Sequence, residues 1–340
     1  MKPGVYAGVS NADYHGGEGV SKSMLDVLAD RSPLHLHYMR TAANDNERQP
    51  TPAQRIGTMF HALLLEPDEF DRTHVLPCVI PEGALVTVDD IKGALKDAGE
   101  KVTGTKSELT ERLKAVRPES IFADEVKQQF AISNAGRTIM THEEWEQLRN
   151  MRDAVMAHPA ASALLSVQGW AELSAFWVDG QTGELCRCRP DFWRKDGVLV
   201  DVKTTEDASP EEFARSIANW RYHVQHAMYV DGITETLLQA SERNLNSAFP
   251  DGIPPVPKAF VFLAVEKSAC VVNGQAKGVA VYVLDEESVR LGGALYHRDL
   301  GRYAHCNTTG VWPGYGDKLQ SITLPAYEFS KNAQLLEYAA

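Results

Sequence analysis

The sequence predicts one α/β core interrupted by a small helical insertion. Three observations predict it. Apolar residues recur at helical spacing in the first eighty positions and again near 141–156. Between 170 and 204 the pattern changes to β-branched and aromatic runs separated by Gly-containing turns. Beyond 204 two helical stretches precede two more strands and a last helix, and no internal repeat or low-complexity tract is present. Helices, a strand meander, helices and strands in that order fit a single layered core.

Each element has a local reason. Ser21 is placed to cap a helix carrying Met24, Leu25 and Leu28. Residues 41–52 are polar and read as a loop, and a helix over Pro52–Glu66 buries Ile56, Phe60, Leu63 and Leu64. In the segment 84–118, Val88–Lys96 and Ser107–Leu113 read as two short helices joined by a polar turn, with Ser107 as N-cap of the second. A long helix at about 141–156 ends at His158-Pro159. Strands are expected at Trp170–Val178, Leu185–Arg194 and Val198–Thr204, then helices near 210–219 and 222–236. A loop at 244–257 leads to strands Ala259–Glu266 and Val279–Leu284 and a helix at about 286–305.

Composition removes several classes. No apolar run is long enough to span a membrane, and the first residues carry no secretory pattern, so a cytoplasmic protein without membrane partners is expected. The cysteines (Cys78, Cys186, Cys188, Cys270, Cys306) are scattered, odd in number and lack a CxxC pair, against both a disulfide framework and a structural zinc site. The formal net charge of −12 argues by itself against nucleic acid. It does not decide the matter, because a protein that holds divalent cations needs clustered carboxylates.

The chemistry concentrates in Arg189–Thr204. A hairpin loop of Lys195, Asp196 and Gly197, with Gly197 in the left-handed position, pairs residue 194 with 198. Asp191 then lies opposite Asp201, and the two-residue strand period puts Lys203 on the same face, while Val198, Val200 and Val202 turn to a core. A loop one residue shorter would separate the carboxylates. Paired carboxylates repel unless a cation lies between them. Oxygen ligands suit Mg²⁺ or Mn²⁺, with a pair of ions as the expected complement. Lys203 is placed to orient a water and to offset charge at phosphorus. A lone D-x-K is more often an ordinary hairpin, so residues elsewhere must carry the choice.

Four spaced signatures occur in one order: Gly57-x-x-x-His61, Pro190-Asp191, Asp201-x-Lys203 and Gln225-x-x-x-Tyr229. Together they resemble the RecB-type and lambda-exonuclease-type branch of PD-(D/E)xK nucleases. The text around Gly19–Asp26 and Gly57–Phe70 resembles the RecE, or exodeoxyribonuclease VIII, group of phage and prophage proteins. The likeness spans roughly 4–83 and 119–305. It implies a restriction-endonuclease-like core, a mixed central sheet flanked by helices, over 1–83 and 119–306, with a C-terminal tail at 307–340. It implies His61, Asp191, Asp201, the Val202 carbonyl and Glu172 as metal ligands, Lys203 as the water-positioning residue, and Gln225 and Tyr229 as groups that brace the site or touch DNA. The family often has Glu where this chain has Asp201, which is shorter by one methylene. Arg187 and Arg189 share the predicted face of Asp191 and are candidate phosphate contacts. His223 and His226 receive no role.

The insertion 84–118 resembles a SAP motif, a DNA-binding helical hairpin, through Val88-x-x-Ile-Lys-x-x-Leu and Gly104-Thr-Lys-Ser-Glu-Leu-x-x-Arg-Leu. Its basic residues, Lys92, Lys106 and Arg112 among them, are candidates for phosphate contact without sequence readout. The resemblance implies a Mg²⁺-dependent exonuclease acting 5′ to 3′ on double-stranded DNA ends, forming a trimeric or tetrameric ring and supplying single strand to an annealing protein. An endonuclease on the same scaffold and a catalytically silent DNA-binding accessory protein remain the alternatives. Opposed carboxylates, which repel phosphate, speak against the latter.

Overall fold

The structure is a computed structural model describing residues 1–41, 51–240 and 252–337. Strand β1 (Gly4–Tyr6) leads into helices α1 (Asn11–Gly16), α2 (Lys22–Asp30) and α3 (Pro33–Thr41). Helix α4 (Pro52–Leu65) starts on a capping box between Thr51 and Gln54, with proline in its first turn, and buries Ile56, Met59, Phe60 and Leu63. Next come α5 (Pro67–Thr73), β2 (His74–Val75), α6 (Val88–Asp97), α7 (Lys106–Val116), α8 (Ala123–Ser133) and β3 (Thr138–Ile139). Helices α9 (His142–Ala157) and α10 (Pro159–Ser166) precede β4 (Gly169–Ala171), β5 (Ser174–Val178), β6 (Leu185–Cys188), β7 (Phe192–Arg194) and β8 (Val198–Thr205). The chain continues through α11 (Pro210–Asn219), α12 (Tyr222–Gln239), β9 (Ala259–Val272), β10 (Gln275–Tyr282), α13 (Glu286–Thr309), α14 (Ala326–Lys331) and α15 (Ala333–Glu337). No helix among the described residues is long and apolar enough to cross a membrane.

A five-stranded mixed sheet, in the order β10-β9-β8-β7-β4, forms the centre, and β1-β5-β6 make a smaller antiparallel sheet beside it. Only β8 and β9 run parallel within the large sheet, joined through α11 and α12. Its two faces are sorted by the strand period. Phe260, Phe262, Ala264 and Leu199 join one core with Val224, Met228, Leu25 and Tyr296. Val200, Val202, Val261, Leu263 and Val265 join the other with Phe60, Leu148, Met151 and Val155. β8 therefore turns its valines to α4 and α9, and the face carrying Asp201 to α12.

Several expectations change on contact with tertiary structure. The strands expected over 170–178 and 185–194 are each broken in two, and the halves belong to different sheets. One break is at Glu172, whose φ of 52° is left-handed. The other is at Arg189-Pro190-Asp191, where proline has no N–H to extend a ladder. Ser21 precedes α2, but its hydroxyl meets Ser23 rather than a helix amide. The second insertion helix is capped by Thr105, in a capping box with Glu108, rather than by Ser107. Pro159 does not merely end α9; it opens α10 from its first turn. β9 and β10 are longer than expected, and α13 runs past residue 305 to Thr309. The loops expected at 41–52 and 244–257 fall largely on 42–50 and 241–251, outside the described residues.

The insertion has its own small core of Ile91, Leu95, Leu109, Leu113 and Phe122. Backbone bonds Leu85 N–H to Ile121 O and Ala123 N–H to Leu85 O close its base. In the tail, Trp312 stacks on His37 with ring centroids 5.0 Å apart, and the Leu34 amide donates to Pro313 O.

Candidate metal centre

The hairpin has the register that its loop dictates. Phe192 pairs with Val200 and Trp193 with Leu199, Gly197 takes φ 92°, and its amide donates to Arg194 O. The same count sets Asp191 against Asp201, one step beyond the ladder. Freed from the strand, Asp191 turns its carboxylate onto the neighbouring backbone: Oδ2 accepts from the Val202 amide at 2.6 Å. Val202 thus touches Asp191 through its N–H.

Three side chains converge from separate elements. His61 comes from α4, Asp191 from the turn before β7, and Glu172 from the strained corner between β4 and β5. One donor atom of each lies within 4.8 Å of the others, the only cluster of at least three metal-ligating side chains among the described residues. His61 Nδ1 is 3.6 Å from Asp191 Oδ2. The Glu172 amide donates to Asp191 O at 3.1 Å, which ties the two acids together through the backbone. Burial, and next the charge of Asp191, push the Glu172 carboxyl up to about 8.

Asp201 sits beside this cluster rather than in it. It is fully buried; Lys203 Nζ lies 2.5 Å from Oδ2, and Gln225 Nε2 donates to Oδ1 at 2.5 Å. Burial raises the Asp201 carboxyl to about 6, against the pull of Lys203. Burial alone would lower Lys203, but Asp201 and Asp191 outweigh it and push the ammonium up to about 12. Lys203 Nζ also stands over the Tyr222 ring, 4.7 Å from its centroid. The ammonium is therefore held in place and charged at neutral pH.

Gln225 braces Asp201, whereas Tyr229 packs edge-on against Phe260, with centroids 6.2 Å apart. Burial raises the Tyr229 phenol well above its usual range, so it stays neutral. Tyr222 carried no expectation, yet it lies three residues before Gln225, one helical turn away on the same face. That spacing was the available signal.

Arg187 and Arg189, expected on the face of Asp191, turn toward the N-terminal segment. Both are buried and spend their guanidinium groups on the N-terminal segment. Arg187 donates to Gly17 O and His15 O, while Arg189 donates to Ser174 Oγ, Asn11 Oδ1 and Val9 O. Both also cover the Tyr14 ring. The predicted shared face assumed one continuous strand, which breaks at Pro190; Arg189 still reaches the edge of the centre, with Nη1 3.9 Å from Glu172 Oε2. In the insertion, Lys106 pairs with Asp124, Lys92 lies 3.7 Å from Asp89, and Arg112 Nη1 donates to the carbonyls of Lys101 and Thr103. The lysine pairs are exposed and weak enough to exchange for another anion.

The donor set suits a divalent cation. An imidazole nitrogen and two carboxylates leave coordination positions for water or phosphate, and a cation offsets the burial and the Asp191 charge that raise Glu172. The nitrogen makes Mn²⁺ at least as good a match as Mg²⁺. A mixed sheet presenting such a cluster beside a D-x-K lysine, with an imidazole from a flanking helix, defines a PD-(D/E)xK-type site on a restriction-endonuclease-like core. The chain belongs to the family described as a PDDEXK-like domain of unknown function (DUF3799), whose match covers residues 21–325. Among solved structures it is similar to one titled "Putative exonuclease" from Eubacterium rectale, at 11% identity and a TM-score of 0.46, covering 96% of this chain and 97% of that one. No curated protein matches the sequence.

Proposed function

We propose that this protein hydrolyses phosphodiester bonds in DNA with a divalent cation held by His61, Glu172 and Asp191. The observation that carries the reading is the convergence of those three donors within 4.8 Å beside the fixed ammonium of Lys203. A bound ion supplies charge neutralisation at the phosphate and lowers the pKa of a water. Lys203 orients that water and offsets charge gathering on the phosphoryl oxygens. Asp201 and Gln225 hold Lys203 in position, and the Val202 amide holds Asp191. The water oxygen gives up a proton to solvent and forms the new bond to phosphorus as the bond to the leaving sugar oxygen breaks; that oxygen takes a proton from solvent.

The finer reading is a Mg²⁺- or Mn²⁺-dependent exonuclease that degrades one strand of double-stranded DNA 5′ to 3′ and leaves single strand for an annealing partner. The likeness to RecE-type phage and prophage nucleases supports it, as does the SAP-like insertion, whose exposed Lys92 and Lys106 are available to phosphates. A homo-oligomeric ring around the substrate would hold an acidic chain, with net charge −12, on DNA by topology.

The test is digestion of end-labelled linear duplex and of covalently closed circular DNA, with EDTA, Mg²⁺ or Mn²⁺. Loss of the linear substrate alone, only with an ion, is expected, with the labelled product reporting polarity. Equal loss of the closed circle would make the protein an endonuclease. No degradation with either ion would end the hydrolase reading.

A further inference from the structure

The corner between α11 and α12 contains an exposed tryptophan held in a strained frame. Trp220 is 64% exposed, whereas Trp177 and Trp193 are buried in the core. Its indole makes no hydrogen bond, ring contact or cation contact among the described residues. The next residue, Arg221, takes the left-handed conformation at φ 54°, uncommon for a bulky residue. That backbone is locked from below. Arg221 is buried, donates to Leu25 O and Asp26 Oδ1 at 3.2 Å each, and pairs with Asp299 of α13. From α2, Lys22 Nζ donates to Trp220 O at 2.5 Å. Strain sustained by two surrounding helices, α2 and α13, beside an exposed apolar ring is unexplained by stability.

The ring borders a groove of about 600 Å³ that also contains Lys203, Thr204 and Tyr222. Lys22 and Lys203 both stand over the Tyr222 ring, which joins the Trp220 corner to the candidate centre. Gly57 borders both this groove and the cavity holding His61 and Glu172. A Cβ at Gly57 would come 3.2 Å from Thr204 Oγ1, so a side chain there would press on the groove wall. The groove has little free positive charge. Lys267 is paired with Glu206, and Asp207 and Glu212 lie in the same wall, engaged by the Ser209 amide and by Arg215. A phosphate chain finds few cations there, but a flat apolar base finds an exposed indole.

We propose that Trp220 is a base-stacking residue, which receives the face of an unpaired nucleobase in the groove beside Lys203 and so positions the strand for cutting. The inference rests on the nuclease reading above and names the substrate form this site takes: a strand with an unpaired base, since a base inside a duplex offers no free face. Trp220 itself does no chemistry.

The test uses the full chain. In EDTA, a single-stranded oligonucleotide should quench part of the tryptophan fluorescence, and Trp220→Phe should remove most of that quench. With Mn²⁺, Trp220→Ala should raise KM about tenfold with kcat nearly unchanged, the size of one lost base stack. An oligonucleotide series with one abasic position moved along the strand, measured for affinity in EDTA, separates stacking from a structural role. At one position wild type should lose about the same factor while Trp220→Ala loses none. An unaltered quench in Trp220→Phe, or an abasic scan that weakens both proteins equally, would overturn the proposal. Because the quench and the abasic scan need no turnover, they judge Trp220 even if the digestion assay fails.

Discussion

Glu172 gives the most decisive prediction, because one substitution should move stability and metal response in opposite directions. In the metal-free protein its carboxyl is raised from 4.5 to about 8, chiefly by burial and by Asp191. Between those two values the folded state binds more protons than the unfolded chain, so stability is full below pH 4.5 and falls as pH rises toward 8. At roughly 1.4 kcal/mol per pH unit the ceiling of that loss is about 5 kcal/mol. The side chain is 29% exposed, and solvent there reduces the expected loss to about 2 kcal/mol. Glu172→Gln keeps the shape and removes the charge, so the metal-free variant should be more stable than wild type at pH 8 and equal to it near pH 4.5. An ion at a hundred times its dissociation constant should return about 2.7 kcal/mol to wild type. Spread over an unfolding entropy proportional to chain length, that is about 4 °C in Tm. The variant should gain little of it. The assay is thermal unfolding of both proteins across pH 4.5–8.5, in EDTA and with Mn²⁺. A Glu172→Gln protein that is less stable than wild type at pH 8, or that gains as much from Mn²⁺, would refute the placement of Glu172 in the centre.

The remaining predictions concern the groups around it. Lys203→Ala should bind DNA ends yet cut them at least about a hundredfold more slowly, the usual scale for losing one preorganised charge at a transition state. Because it also leaves Asp201 buried without its cation, chemical denaturation should show about 3 kcal/mol of lost stability above neutral pH, with part recovered as the pH falls, beginning above the value of about 6 at which Asp201 titrates beside Lys203. Gln225→Ala strips the other partner from Asp201 and should cost about 1–3 kcal/mol in the same assay. Arg189→Ala should release the N-terminal segment, read as faster proteolysis around Val9–Asn11, with unchanged DNA affinity in the remaining folded protein. Weakened DNA affinity with an intact N-terminus would restore Arg189 as a phosphate contact.

Features that depend on neighbours along the chain were legible without coordinates. Gly197 and the loop it closes set the register of Asp191 against Asp201, and the strand period alone sorted Val200 and Val202 from Lys203. Helices with a clear apolar stripe, such as α4 and α9, were legible for the same reason. Local pattern did not reveal where a strand changes sheets. Residues 169–178 and 185–194 each have the composition of one strand, and only pairing with β7 and β8 on one side, or with β1 on the other, decides the break. That break gives the site its shape. It turns Glu172 toward His61 and Asp191, and it sends Arg187 and Arg189 to the N-terminal segment instead of to solvent. It also leaves Asp201 to Lys203 and Gln225. Backbone spacing fixes which face a side chain is on, but which charges share that face depends on segments more than a hundred residues apart, and only their packing brings those together.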